Sequence, residues 1–264
     1  MPRDVTLSGV VARLPTGCGF LHATNVTGVD DISEADQQAF EAQLAFTSRQ
    51  PAPESVALPG PYNVANALAA VVALVEAGVH LATAVAGVAA CPGVPGRLER
   101  VDAGQDFTVL VDYSHKPGAV EAVLAALRPV TSGRLAIVLG CGGDRDSAKR
   151  PLMGAAAARL ADLAILTSDN PRSEDPLAIL AEMLDGVLTV GEPERARIIV
   201  EPDRAAAIGL AVAMADKGDV IVVAGKGHER GQYIGQQVIP FDDREVAAGA
   251  IARRRRGGPG EGIL

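Results

Sequence analysis

Residues 135–151 read LAIVLGCGGDRDSAKRP. The first five are apolar with no polar alternation, the pattern of a strand covered on both faces. Gly140, Gly142 and Gly143 end the run, a polar stretch follows, and Pro151 suits the first turn of a helix, where a missing N–H costs nothing. The glycines allow close backbone approach to a ligand or, equally, a sharp strand-to-helix turn. They are not a dinucleotide fingerprint, because the last glycine of G-x-G-x-x-G is replaced by Arg145.

The same strand, polar loop and helix recur on either side. FTVLV (107–111) leads into DYSHKPG and a helix over about 117–127. LAILT (163–167) leads into SDNPRSED and a helix from Pro176. RIIV (197–200) leads into EPDR and a helix to about Asp216. VIVV (220–223) leads into AGKGHERGQ, and residues 237–240 precede a helix over about 243–253. This alternation predicts a Rossmann-like α/β domain with a mostly parallel sheet. Ligands of such sheets sit in the crevice at the carboxyl ends of the strands. The loops 112–116, 140–145, 169–172 and 225–229 are therefore expected to converge.

Upstream the pattern is weaker. Residues 5–7, 9–14 and 19–22 read as short strands, and 33–44 as a short helix with Ser33 as N-cap. After a proline-rich break, YNVANALAAVVALVE (62–76) reads as a buried helix closed by Gly78, with a second helix over 81–89. Pro92-Gly93 and Pro95-Gly96 mark a boundary that divides 1–96 from 97–264.

Composition narrows the function. The 264 residues are 48% hydrophobic and 21% charged, which fits a folded chain, and the net charge of −8 argues against a general nucleic-acid-coating role. Aromatics at 3% argue against base-stacking platforms for single strands. No apolar run suggests a membrane span, and Cys18, Cys91 and Cys141 are too scattered for a disulfide framework, so a reducing cytoplasm is expected. Twenty of the 24 basic residues are Arg. The four lysines are Lys116, Lys149, Lys217 and Lys226; three of them fall in the polar stretches that follow strands, either by coincidence or because a compact ammonium is needed there.

Several loop residues have two readings. Arg172 suits bidentate capture of a carboxylate, or is a solvated arginine beside a helix cap. Asp112 could orient a ribose or a metal-bound water, or cap the next helix. His228 and Glu229 could form a proton-transfer pair, or be plain loop residues. His22 and His80 have no partner in sequence. The arginines 253–256 read as a solvated helix end.

Taken together, DYSHKPG (112–118), GCGGDRDSAKRPLMG (140–154), TSDNPRSEDP (167–176), PDRAAAI (202–208), AGKGHE (224–229) and FDDREVA (241–247) resemble, in this order, the Mur ligases of peptidoglycan synthesis, and within them the diaminopimelate-adding branch. PYNVANALAA (61–70) and GVPGRLE (93–99) resemble the end of that family's ATP-binding central domain. The resemblance runs over about 59–246, and the first 58 residues fit more loosely. It implies that 1–96 are the C-terminal part of the central domain and 97–264 an amino-acid-binding domain. The implied reaction is ATP-dependent amide formation between UDP-MurNAc-L-Ala-D-Glu and meso-2,6-diaminopimelate through an acyl phosphate, with Mg2+ bound mainly by the family's N-terminal half.

By resemblance, Asn63 and Asn66 lie near the adenine and phosphates, and Arg97, Asp112 and His115 approach the nucleotide. Arg145, Asp169, Asn170, Pro171, Arg172, Gly225 and Glu229 match the positions that hold diaminopimelate. Its distal ammonium calls for a carboxylate such as Glu229, and its distal carboxylate for a donor such as Arg172. Ser114 and Lys116 depart from the family's usual Ala and Thr. The family's uridine-nucleotide domain, P-loop, metal-binding residues and modified lysine have no counterpart here. The expectation is roughly the C-terminal half of such a ligase: monomeric, with no complete catalytic set, no metal site, and no nucleic-acid or membrane partner. Two alternatives are a folylpolyglutamate-synthetase-like ligase, against which Arg172 with Glu229 argues, and a non-catalytic α/β binding module.

No G-x-x-x-x-G-K-[ST] occurs in the 264 residues, so the backbone cradle for ATP phosphates is missing from them. The purified chain is expected to release no ADP or phosphate and to form no amide when given ATP, UDP-MurNAc-L-Ala-D-Glu and diaminopimelate. ATP-dependent product formation by this chain alone would overturn that expectation.

Overall fold

The computed structural model describes residues 4–7, 10–13, 61–91 and 93–257. Its contacts divide the chain into two units, Met1–Pro92 and Gly93–Leu264. The division falls four residues before the boundary read from the sequence. Gly96 packs against the backbone of Gly227 and His228, which ties the end of the Pro-Gly stretch to the second unit.

In the first unit, β1 (Asp4–Leu7) and β2 (Val10–Arg13) pair antiparallel, with Asp4 opposite Arg13. Helix α1 (Pro61–Glu76) ends at Gly78, whose φ of 89° only glycine adopts easily, and α2 (Leu81–Ala89) follows. Val71, Val72 and Ala84 are buried. The expected strand at 19–22 and helix at 33–44 lie outside the described residues.

The second unit is the α/β domain. Strands β3 (Glu99–Val101), β4 (Thr108–Asp112), β5 (Leu135–Cys141), β6 (Leu163–Ser168), β7 (Arg197–Val200) and β8 (Val220–Ala224) form one sheet in the order β3-β4-β8-β5-β6-β7. All neighbours are parallel except β3, which pairs antiparallel with β4 at the edge. The helices are α3 (Pro117–Leu127), α4 (Lys149–Leu160), α5 (Pro176–Leu188), α6 (Arg204–Met214) and α7 (Asp243–Gly257). A hairpin of β9 (Gly231–Ile234) and β10 (Gln237–Pro240) stands apart from the sheet. No described helix is long and apolar enough to cross a membrane.

Strand order assigns the layers. From β4 through β5 and β6 to β7 the chain advances in one direction, and right-handed crossovers put α3, α4 and α5 on one face. The return from β7 to β8 reverses direction and puts α6 on the other. Accordingly Val109, Val111, Val138, Ile165, Ile221 and Val223 pack with Ala207, Ile208, Ala211 and Val212 of α6 and with Ala247, Ala250 and Ile251 of α7. The alternating residues Leu110, Ile137, Leu139, Leu166 and Val222 are equally buried and turn to the opposite face. Each such side chain contributes about 1.5–3 kcal/mol, so the two-sided apolar strands dominate stability.

The structure extends or corrects several expectations. Helix α4 starts at Lys149, so Pro151 is its third residue, still within the turn whose N–H groups need no partner. Residues 237–240 pair with β9 rather than standing alone. The C-terminal arginines are not all solvated: Arg254 lies 5.0 Å from the Phe107 ring and donates to Val212 O, and Arg255 donates to Ala103 O.

Arg204 and Asp243 sit at the carboxyl end of the sheet, both with fully buried side chains. Nε and Nη2 of Arg204 each donate to Asp243 at 2.7 Å, Nη2 also reaches Ala224 O at 2.9 Å, and Nη1 reaches Ser168 O at 3.3 Å. One guanidinium thus joins α6 and α7 to the ends of β6 and β8. Arg204→Met alone leaves a buried carboxylate unpaired and is expected to cost about 3–5 kcal/mol. Arg204→Met with Asp243→Leu should recover most of that loss. Calorimetric unfolding of the three proteins checks it, and equal destabilisation by the single and double variants would refute the ion-pair account.

Candidate amino-acid-binding site

The four loops singled out by sequence leave β4, β8, β5 and β6, which are adjacent in the sheet. Their starting points lie level: Ala224 pairs with Asp112 on one side and Leu139 on the other, and Cys141 with Ser168. The sheet itself therefore brings together residues more than a hundred positions apart.

At the centre is Lys226, whose side chain is fully buried. Its Nζ donates to Asn170 Oδ1 at 2.8 Å and Gly231 O at 2.6 Å, and lies 3.3 Å from Glu229 Oε2 and 3.8 Å from Asp169 Oδ1. Asn170 completes the knot. Its Oδ1 also accepts from Tyr233 N at 3.1 Å, and its Nδ2 donates to Glu229 Oε2 at 2.9 Å. Burial holds the Asp169 carboxyl above the ordinary carboxylate range, against the lowering influence of Arg204 and Lys226. Asp169 Oδ1 has no hydrogen-bond partner among the described residues.

Arg172 is held by its backbone. Its φ is 52°, a strained value for a residue with a Cβ. Strand β9 and the glycine that follows it support that conformation from both sides, with Arg172 N donating to Tyr233 O at 2.9 Å and Gly235 N to Arg172 O at 2.6 Å. The guanidinium lies 5.9 Å from the Tyr233 ring, and Nη1 donates to Gly143 O at 2.7 Å. Nε and Nη2 donate to no described residue. Arg172 is therefore an anchored, half-buried side chain with one edge unused, not a freely solvated one.

The Gly140–Gly143 turn meets the chain itself. A Cβ on Gly143 would stand 1.9 Å from Pro171 O, and Gly143 N donates to Asn170 O at 2.9 Å. The close approach is thus to the 170–172 loop. That contact is braced by Ser173, which donates to both oxygens of Asp144, and by Glu174, which accepts from Asp144 N and from buried Arg150 Nη2 at 2.8 Å. Arg145 is exposed beyond the brace, and Pro171 and Gly225 are buried within it.

A second cluster lies at the end of β4. Arg97 sits 4.8 Å from the Tyr113 ring, His115 makes an edge contact with it at 4.6 Å, and His228 lies tilted 5.3 Å from it. Gly227, at φ 54°, admits this packing, since a Cβ there would meet Tyr113 Cβ at 2.7 Å. Asp112 neither caps α3 nor faces outward. Its Oδ1 accepts from Ser114 N and Oγ, and its Oδ2 from Leu98 N at 2.9 Å, which fixes the chain next to Arg97. His228 and Glu229 do not pair, because Glu229 turns to Lys226 and Asn170 while His228 turns to Tyr113. Asn63 and Asn66 lie in the first two turns of α1, in the first unit.

Sequence reasoning named Arg172, Asn170 and Glu229 as candidates and noted Lys226 only as a lysine retained in an arginine-rich chain; it passed over Gln232 and Tyr233. Gln232 Nε2 donates to Asp169 O at 2.8 Å. The available signal for Lys226 was its survival in an arginine-dominated chain. Cys141 is not reactive, since burial pushes its thiol up to about 12. Among the described residues no three His, Cys, Asp or Glu side chains gather as metal ligands.

The sequence profile described as "Mur ligase, glutamate ligase domain" matches residues 96–227, half of the chain. The chain belongs to the Mur ligase family. It is 58% identical over 229 residues to the UDP-N-acetylmuramoyl-L-alanyl-D-glutamate–2,6-diaminopimelate ligase of Streptomyces coelicolor, covering 83% of this chain and 45% of that protein. Identity to the ligase of the same name from Streptomyces avermitilis is 62% over 206 residues, covering 78% and 40%. A solved structure of a ligase so named superposes with a TM-score of 0.59 at 42% identity, covering 74% and 39%. The UDP-N-acetylmuramate-alanine ligase of Thermotoga maritima, at a TM-score of 0.53 and 16% identity, shares the fold (76% of this chain and 39% of that one). The chain spans less than half the length of these relatives.

Glu174 and Asp144 make the site acid-sensitive. The hydrogen bond from Arg150 holds Glu174 below its ordinary value, and the bonds from Ser173 do the same for Asp144. The unfolded chain takes up these protons first, so their stabilisation is complete above the ordinary carboxylate range and disappears as pH falls through the depressed folded values. Glu174→Gln should flatten the acid side of the stability profile in urea unfolding. Parallel profiles for variant and wild type would rule this brace out as the source.

Proposed function

We propose that this chain supplies the amino-acid-binding part of an ATP-dependent ligase that joins meso-2,6-diaminopimelate to UDP-MurNAc-L-Ala-D-Glu in the cytoplasm. The observation that carries this reading is the pairing of Arg172 and Glu229 about Asn170. Asn170 donates to Glu229 through Nδ2, and its backbone oxygen lies 3.4 Å from Arg172 Nη1. A cation with an unused donor edge and a carboxylate with an unused oxygen, Oε1, thus share one rigid support. An α-amino-acid end carries the complementary carboxylate and ammonium, and diaminopimelate presents two such ends.

In the reaction, the D-glutamate side-chain carboxylate takes the terminal phosphoryl group of ATP, giving an acyl phosphate and ADP. One diaminopimelate amine then attacks the acyl carbon. The amide forms, phosphate leaves, and the amine loses its proton. The part of this chain is orientation: Arg172 and Glu229 grip the distal end, so the other amine is directed outward. Gly225 and Pro171 hold the two loops against each other, and Arg145 supplies positive charge at the rim. The cluster of Arg97, Tyr113, His115 and His228 fits the nucleotide side, where a guanidinium and ring faces suit phosphate and base, with Asp112 fixing the chain beside Arg97. Asn63 and Asn66 keep the nucleotide role that the resemblance implies.

Calorimetry on the 264-residue chain tests the grip. Arg172→Ala should cost about 2–4 kcal/mol of diaminopimelate binding, and Arg172→Lys should restore little, because an ammonium does not reproduce the planar fork. L-lysine lacks the distal carboxylate, so its weaker binding should hardly change. Equal losses for both ligands would sink the distal-carboxylate role.

A further inference from the structure

Of the four lysines only Lys226 is buried, and its environment is unusually specific. An ammonium has three donors and no acceptor capacity. Those donors meet Asn170 Oδ1, Gly231 O and the Glu229 carboxylate. Because Asn170 Oδ1 receives both the ammonium and Tyr233 N, the amide has only one satisfied orientation, with Nδ2 turned to Glu229. Glu229 Oε2 is thus claimed twice, by Lys226 and by Asn170, and the rotation of the carboxylate is fixed. The same ammonium holds β9 through Gly231, and β9 holds Arg172.

We propose that Lys226 is a positioning residue that orients the Glu229 carboxylate, with Oε1 turned to the distal ammonium of the bound amino acid. This inference rests on the proposed function and deepens it by dividing the distal grip into two halves. Arg172 reads the carboxylate, and Lys226 acting through Asn170 and Glu229 reads the ammonium. The bulkier planar guanidinium does not fit a tripod of three converging oxygens, which accounts for a lysine at this point in an arginine-rich chain.

Three ligands separate the halves. Diaminopimelate has both distal groups, L-lysine lacks the distal carboxylate, and 2-aminopimelate keeps the carboxylate but lacks the distal ammonium. Calorimetry is run on the wild-type chain, Lys226→Met, Glu229→Gln and the double variant. Lys226→Met should weaken diaminopimelate by about 10–100-fold, the range for a hydrogen bond to a charged group, and weaken 2-aminopimelate much less, through the Gly231 link to β9 alone. The double variant should be no weaker than Glu229→Gln alone. Equal loss of both ligands in Lys226→Met, or additive losses in the double variant, would overturn the positioning role and leave the proposed function standing. A wild-type chain that binds no diaminopimelate overturns the proposed function and this inference with it. If Lys226→Met does not fold, 15N spectra of the wild-type chain decide. The Lys226 Nζ resonance should move on adding diaminopimelate and stay in place on adding 2-aminopimelate, and the same response to both would refute the role.

Discussion

At the carboxyl ends of β6 and β8 the chain concentrates Arg204, Asp243, Asp169 and Lys226 in a space that water hardly reaches. An isolated charge there would be prohibitively costly: Arg204, Asp243 and Lys226 are met by neighbours in good geometry, whereas Asp169, whose Oδ1 has no hydrogen-bond partner among the described residues, is held above the ordinary carboxylate range by burial. Arg204 answers Asp243 with two parallel bonds and spends its remaining donors on Ser168 O and Ala224 O, the last residues of the two strands. The loops that leave those strands therefore start from fixed points. Their positions are set by the satisfaction of buried charge as much as by apolar packing.

Rigidity then passes outward in steps. Lys226 ties the 225–229 loop to Asn170 and to β9. Strand β9 in turn holds the backbone of Arg172 in its left-handed conformation. On the far side, Arg150 and Glu174 brace the 140–145 turn against the same loop. Pre-organisation of this kind lowers the entropy lost on binding, because the side chains that meet a ligand are already held. The strain at Arg172 is tolerated because its surroundings over-determine it.

In the proposed function, the site's charges favour a zwitterion. Asp169 and Glu229 bring two carboxylates, Lys226 and Arg172 two cations, and the arrangement is close to neutral overall. What it offers a ligand is separated charge in a fixed direction, which selects by geometry rather than by net attraction. The net charge of −8 for the whole chain does not describe this local balance.

The alternation of two-sided apolar runs with helices was legible in the sequence, because every central strand lacks polar alternation and every loop carries Gly, Pro or Asp. Convergence of the four polar loops was also legible, since a parallel sheet collects them at one end whatever the strand order. So were Arg172, Asn170 and Glu229, through ordered motifs that resemble the Mur ligases. The edge strand Glu99–Val101 and the strand Gly231–Ile234 were not, because short strands with polar residues are defined by the partners they pair with and not by their own pattern. Lys226 could be singled out only as a composition oddity, and its part depends on three oxygens contributed by residues 170, 229 and 231. Asp112 and Glu229 each had two readings in sequence, and the tertiary structure gave each other partners: Asp112 binds Leu98 N and Ser114, and Glu229 faces Lys226 and Asn170 instead of His228. A hydrogen bond is specified by where its partner stands, and for side chains separated by tens of residues that position exists only once the sheet has formed.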